Sequence, residues 1–315
     1  MTAPATSARP RIGISSCLLG RPVRHDGGHK RDAYLCEVLG SVFEWVPGCP
    51  ETAIGLGIPR KPIHLRRFGE RIRVVEVDDP AHDVTDALAD EAARSLQTVV
   101  PLAGYVLKQG SPSCGLHGVR VHDREGTHPA REGRGGFAAE LARLAPLLPL
   151  AEETQLHDPR QRQHFIWRAL AYHRWQQLAE DGMRPRDLVD FHTRHKYLLM
   201  AHDQEAYRRL GPLVSQAGNS GSFKELSNNY IALFMSTMRN VASPGQHANA
   251  LQHMAGYFSD SIEAHDRTEL GEAIEAYRLA QLPLAMPVAL LRHHLRRHPQ
   301  THLEQQLYLD PTAFI

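Results

Sequence analysis

Three cysteines of this chain stand just past the ends of apolar runs, each in a turn rich in glycine, proline or serine. Residues 11–16 lead into Cys17, residues 42–48 into Cys49, and residues 102–107 into the segment 108–115, Lys-Gln-Gly-Ser-Pro-Ser-Cys-Gly, which carries Cys114. Packing alone does not demand three thiols at three strand ends. A fourth cysteine, Cys36, lies in an amphipathic stretch and reads as a small buried hydrophobe. A cubane iron–sulfur cluster normally takes four thiolates, so three of them leave one iron open to a substrate or water. Glu51 follows Cys49 by two residues, where a carboxylate serves as general base, or simply caps residues 52–54. Ser111 and Ser113 flank Pro112 and either touch substrate or hold the turn. Lys108 pairs with a substrate phosphate or a helix end. Arg24 and Asp26 beside Gly27-Gly28 form a polar clamp or an Asx turn.

The elements that position these residues follow from the pattern. From 11 to about 153, strand-like runs alternate with helical segments at about 32–40, 83–100 and 137–144, and a hairpin spans 62–77. A last strand is expected at Leu147-Leu148 between two prolines. Such alternation predicts an α/β domain with a mostly parallel, Rossmann-like sheet and its site at the carboxyl ends of the strands. Asp158-Pro159 reads as the N-cap and first position of a long helix to about 180. Beyond it only helical spacing remains, at 185–201, 204–216, 222–240, 244–259, 261–279 and 283–297, with Pro244 and Pro283 at first helical positions. The expected division is 11–156 for the α/β domain, 157–181 for a connecting helix, and 182–315 for an all-α domain.

With 315 residues, two domains are the default. A content of 42% hydrophobic and 23% charged residues is that of a folded globular chain. No apolar run approaches the roughly 20 residues that span a bilayer, and the first ten residues lack a signal-peptide layout; a cytoplasmic location without membrane contact is expected. The net charge of +1 announces no polyanion by itself, although a local patch can. Four cysteines make no disulfide framework in such a compartment, and no zinc spacing accompanies them. Nothing in the sequence demands an obligate protein partner.

The motifs in order, Ser16-Cys17-Leu18-Leu19-Gly20 with Arg24-His25-Asp26-Gly27, then Cys49-Pro50-Glu51, then Lys108 with Ser111-Pro112-Ser113-Cys114-Gly115, resemble the thiouracil desulfidase (TudS-type) domain. That resemblance implies a 4Fe-4S cluster on Cys17, Cys49 and Cys114 with its fourth iron open, and catalytic roles for Glu51 and Ser111. His25 stands where that family usually has tyrosine. The stretch from Phe191 to His202, continuing to Gly211, resembles the YbgA-type helical domain. The pair of domains is similar to the bacterial tRNA 4-thiouridine desulfidases (RudS-type), which implies 4-thiouridine-bearing tRNA as partner and its non-redox conversion to uridine with release of sulfide. Two other readings compete: desulfuration of free thiouracil or a thiolated nucleotide, and a non-catalytic iron–sulfur sensor that binds RNA. For RNA contact the candidates are His192, His195 and Lys196 on one helix face, Arg194 slightly around it, and Lys224, with Asn228 and Arg239 adding to the basic side; a second cluster spans 292–298, and Tyr197 and Tyr207 offer stacking. The plain alternative is solvated helix faces with a few core histidines.

Overall fold

The computed structural model describes residues 9–97, 101–123, 130–218 and 222–314. The chain forms two compact units, Met1–His173 and Arg174–Ile315. The first unit runs β1 (Arg11–Ser15), α1 (Ala33–Glu37), β2 (Glu44–Gly48), α2 (Pro50–Ala53), β3 (Ile63–Phe68), β4 (Arg71–Glu76), α3 (Thr85–Leu96), β5 (Gly104–Leu107), β6 (Val119–His122), β7 (Ala130–Gly133), α4 (Gly136–Leu144), β8 (Leu150–Glu152) and α5 (Pro159–Glu180), whose last residues belong to the second unit. Residues 98–100 of the expected 83–100 helix lie outside the described residues.

Among the described residues the strands form two sheets. The order in the first is β2-β1-β5-β8 and every pairing is parallel, as the strand–helix alternation predicts. The second, β4-β3-β6-β7, is mixed: β3 runs parallel to β6, and the outer pairs are antiparallel. Expecting one sheet overlooked β6 and β7, four residues each, too short for alternation to register. The last strand is Leu150–Glu152 rather than the Leu147-Leu148 expected; the Pro149 carbonyl accepts from Tyr105 N at 2.8 Å and sets that register.

Parallel register brings the carboxyl ends together. Ser15 stands beside Gly48, and Leu107 beside Glu152, so the chain leaves β1, β2, β5 and β8 along one edge. Gly13 allows it: a Cβ there would lie 2.3 Å from the Tyr105 ring, whose hydroxyl lies over Gly48. Leu65, Val74 and Val121 from the second sheet share a core with Leu88 of α3 and Phe137 and Leu141 of α4. Full burial of each such side chain contributes roughly 1.5–3 kcal/mol.

The second unit is helical throughout its described residues: α6 (Pro185–Arg194), α7 (Lys196–His202), α8 (Gln204–Ser215), α9 (Phe223–Thr237), α10 (Pro244–Ala255), α11 (Ala264–Arg278), α12 (Ala285–Arg297) and α13 (Thr301–Glu304), with short 3-10 turns between and after them. Side chains of Asp203, Ser222 and Ser243 cap α8, α9 and α10, and Ser243 with Gln246 closes a reciprocal capping box. Pro185 and Pro244 occupy first turns, whereas Pro283 precedes α12 by two residues. The expected 185–201 helix is broken at His195, whose φ of −100° and ψ of 7° end α6. Asp158 Oδ1 accepts from the amides of Arg160 and Gln161, both at 2.9 Å, and starts α5 as expected. No helix of the described residues is long and apolar enough to cross a membrane.

Candidate active site

A cavity of about 390 Å³ opens at the carboxyl edge of the first sheet. Cys17, Cys49 and Cys114 line it together with Glu51, Ser111 and Arg60. Cys17 sits in the 3-10 turn after β1, Cys49 between β2 and α2, and Cys114 in the loop after β5. The Cys49 thiol points at the Val23 carbonyl at 3.8 Å. Cys36 is absent from the lining; its thiol lies 3.8 Å from the Leu18 carbonyl. Arg24, His25 and Lys108 also line the cavity.

Glu51 is held from two sides. Arg60, whose side chain is 5% exposed, donates from Nε at 2.9 Å and Nη2 at 2.7 Å to Oε2, and Nη2 also reaches the Val23 carbonyl at 3.0 Å. Ser113 Oγ donates to Oε1 at 2.5 Å. Ser111 Oγ receives the amides of Ser113 and Cys114 at 3.3 and 3.2 Å and lies 3.0 Å from Ser113 Oγ. With its lone pairs so engaged, the Ser111 hydroxyl donates to Ser113, and Ser113 donates to the carboxylate. The two serines therefore differ. Ser111 faces the cavity, whereas Ser113 is fully buried behind it and links Ser111 to Glu51.

The loop that carries them is fixed at both ends by adjacent carboxylates. Glu153 accepts from Gln109 N at 2.7 Å and pairs with Lys108 Nζ; Glu152 accepts from Leu116 N at 2.8 Å and His117 N at 3.3 Å. Both are buried. Lys108 is thus engaged by Glu153 while it lines the cavity. From the other side, the amides of Gly135, Gly136 and Ala138 donate to the carbonyls of Gly115, Pro112 and Ser113 at 2.8–3.1 Å. Gly135 must be glycine here, because a Cβ would lie 2.5 Å from the Ser113 carbonyl. Asp26 is exposed and outside the lining; its Oδ1 accepts from Gly28 N at 2.9 Å, which lowers its carboxyl below the usual range, and Arg24 stands 3.7 Å away. Asp26 makes the Asx turn, and Arg24 reaches the cavity.

Arg60, Glu152 and Glu153 were not anticipated as site residues. Glu152-Glu153 does carry a signal, a carboxylate pair at the end of a parallel strand where sites gather. Arg60 has none: it follows a glycine-rich turn and enters the site through tertiary packing alone.

The donor set can be tested against a metal group. Among the described residues no three Asp, Glu, His or Cys side chains converge closely enough to hold one metal ion. A cubane instead offers each thiolate its own iron, so its ligands stand around a cage. Three thiols around one cavity fit that arrangement. Burial raises the Cys17 thiol, and burial with the Glu51 carboxylate pushes Cys114 up to about 12. Thiols that are neutral when free become ligands only by losing their protons to the metal group.

The helical candidates fare differently. His195 is 1% exposed; its Nδ1 lies 2.7 Å from the Phe191 carbonyl, and burial lowers it to about 3. His192 stacks on Tyr207 with ring centroids 5.2 Å apart, lies 3.1 Å from the Tyr230 hydroxyl, and is lowered by burial to about 4. Tyr197 is buried, with Lys196 Nζ over its ring at 5.1 Å. The expected shared face of His192, His195 and Lys196 is therefore corrected: the break at His195 divides it, and both histidines are neutral packing groups. Arg194 is exposed and paired with Asp190 at 2.7 Å, and Lys224 is exposed on α9.

Comparison with known proteins agrees with a two-part chain of this kind. Residues 12–153 match the family described as 2-thiouracil desulfurase, and residues 196–313 match a family described as a protein of unknown function, DUF1722. A stretch of 143 residues, 45% of this chain and 85% of the other, is 32% identical to the uncharacterized protein YbgA of Escherichia coli (strain K12). The chain belongs to the YbgA family, with a thiouracil desulfurase-type segment fused ahead of the DUF1722 segment. Among solved structures, a 4Fe-4S-dependent thiouracil desulfidase, TudS, is 33% identical over 48% of this chain and 95% of its own, with a TM-score of 0.39.

Proposed function

We propose that the chain is an iron–sulfur desulfidase that converts 4-thiouridine in tRNA to uridine. One observation carries the reading: three thiols, a carboxylate and a serine chain surround a single cavity at the strand ends. The 2-thiouracil desulfurase match over the same residues supports the reaction class. Cys17, Cys49 and Cys114 would hold a 4Fe-4S cluster, and an iron with an open position supplies a Lewis acid for a thiocarbonyl sulfur. The balance is hydrolytic. Water adds to the thiolated ring carbon, the C=S bond becomes C=O, and sulfur departs as hydrogen sulfide without net oxidation.

Glu51 takes the proton of the attacking water. Arg60 holds one oxygen of that carboxylate in place with two donors, and Ser113 fixes the other. Ser111, at the cavity end of that serine pair, would contact the base once substrate displaces one of its present hydrogen bonds. A tRNA-borne base is supported by the helical unit, an appendage for which a free-base enzyme has little use. The cavity and the family description also suit a free thiolated base, so both substrates belong in the test. The protein is purified and reconstituted without air, then given thiolated bulk tRNA or free 2-thiouracil while thiocarbonyl absorbance and sulfide are followed. Loss of tRNA absorbance with stoichiometric sulfide, abolished in Glu51→Gln with iron content retained, is the expected result. Turnover of free thiouracil alone moves the substrate to a small molecule; a fully active Glu51→Gln removes the base from the mechanism.

A further inference from the structure

The second sheet has one face in the core, and its other face is rich in arginine around a buried Val75 that stands opposite His64. Across β3 and β4, Arg66 stands opposite Arg73 and Phe68 opposite Arg71; across β3 and β6, Arg66 stands beside His122; across β6 and β7, Arg120 stands opposite Arg131. Leu65, Val74, Val119 and Val121 alternate to the other side and join the core. Five arginines thus share the outer face with His64, His122 and Phe68. The whole chain carries only +1, so this is a concentration and not a reflection of composition.

Stability does not account for it. Like charges directly opposite one another weaken a sheet, and this one has two such arginine pairs. Asp83 and Asp86 offset Arg73, at 2.6 and 3.2 Å. Among the described residues no ion pair reaches Arg71, Arg120 or Arg131; the nearby Glu132 is taken by Arg67 on the opposite face. All three are exposed. Aromatic surface accompanies the charge. Phe68 is 42% exposed beneath the Arg66 guanidinium, 5.6 Å from its ring centroid, and the His64 and His122 rings stack at 4.6 Å.

The strand also starts at the site. Ile63, the first residue of β3, lines the cavity, although its side chain lies with Leu65 on the core side of the sheet. The strand then runs outward to Phe68, about 17 Å away at roughly 3.3 Å per residue. A polyanion lying along the arginine face would have one end at the strand start that borders the cavity. Arginine forks match phosphate oxygens, and exposed rings on a sheet stack on bases. We propose that this face is the docking surface on which the first unit holds the sugar–phosphate backbone of an RNA beside the base it delivers. The choice of RNA rests on the function proposed above.

The test uses the full chain and fluorescently labelled bulk tRNA, with affinity measured by anisotropy between 50 and 200 mM salt. Each phosphate contact removed lowers the slope of log affinity against log salt by about 0.7–0.9. The triple variant R71Q/R120Q/R131Q is expected to lose on the order of tenfold or more in affinity near 0.1 M salt, and about 2–3 in slope. Its lysine counterpart R71K/R120K/R131K retains most of the slope. Arg143→Gln, on α4 and paired with Glu140, serves as a control that leaves affinity unchanged. Unchanged affinity and slope in the folded glutamine variant, checked by circular dichroism, overturns the docking surface even if tRNA is desulfurated. The expected losses in a protein that never desulfurates tRNA uphold the surface and overturn the function instead. Binding to anionic phospholipid vesicles without binding to tRNA overturns the RNA assignment.

Discussion

The two units bury polar side chains to opposite ends. In the first, Ser113, Glu152, Glu153 and the Glu51–Arg60 pair lie within a few residues of one cavity, and each is engaged by partners from other segments. In the second, His195 and His202 are turned back on the carbonyl four residues earlier and His247 on the Tyr308 hydroxyl at 2.8 Å, with the His202 and His247 rings edge to face at 6.2 Å. Convergent buried polar groups are costly to assemble and mark where chemistry is prepared. Histidines that meet one nearby carbonyl or hydroxyl and otherwise pack against rings are packing groups. A histidine-rich sequence does not distinguish these cases, but the direction of each hydrogen bond does.

The contrast is sharpest at the thiols. Cys17→Ser or Cys114→Ser should reduce iron bound after reconstitution by more than the roughly 10–100-fold that loss of an outer partner costs a metal site. Cys36→Ser should leave iron per chain unchanged, because its thiol faces the Leu18 carbonyl outside the cavity. Loss of iron in Cys36→Ser would break the comparison, since the donor set would then extend beyond the cavity.

Next in size is Arg60. Removing one partner of a buried ion pair leaves the other charge uncompensated, at a cost of about 3–5 kcal/mol. Arg60→Met should lower the urea midpoint of the first unit accordingly and abolish turnover. The double variant Arg60→Met/Glu51→Leu should recover much of the stability and none of the activity. A single variant as stable as the parent would mean that Glu51 relaxes toward solvent, and the convergence would be looser than the distances indicate.

The legible part of this site is what lies next to a cysteine. Glu51 and Ser111 fall within three residues of a thiol, and the strand ends that carry them follow from apolar runs bounded by glycine and proline. The parallel first sheet was legible for the same reason. Arg60, Glu152 and Glu153 act across sequence separations of 9 to 44 residues, and no local pattern encodes such a partner. β6 and β7 were missed because four residues give alternation too little length, and with them went the arginine face, whose residues are scattered from 66 to 131. In the helical unit, spacing placed the helices but could not tell that His195 would end one of them and turn inward.

A smaller effect tests how tightly the loop is held. Gly135→Ala places a Cβ 2.5 Å from the Ser113 carbonyl and 2.8 Å from Cys114 N. Overpacking of this kind costs about 1–3 kcal/mol, and here the strain falls on the segment that presents Cys114. Slower or incomplete cluster reconstitution with nearly normal helical content is expected, read by iron content and circular dichroism. Gly211→Ala, with open space around its Cβ, should change neither.

The smallest expected effect belongs to the helical unit and depends on pH. His192 and His195 are lowered by burial to about 4 and about 3 in the folded chain, whereas an unfolded histidine titrates near 6.5. The unfolded state therefore binds the proton first as pH falls. The stability that these neutral rings provide is fully present above about 6.5 and is lost progressively as pH drops from there toward 4 and below. Amides of α6 and α7 should thus exchange hydrogen faster at pH 5 than at pH 7.5, after correction for the intrinsic exchange rate, while those of α4, which holds no histidine, should change less. Equal change in both would mean that acid acts through the first unit's carboxylates. Protection rising in α6 toward pH 5 would mean that these histidines charge in the folded chain and gain an anionic partner, which would return them to the ligand-binding face that their burial now denies.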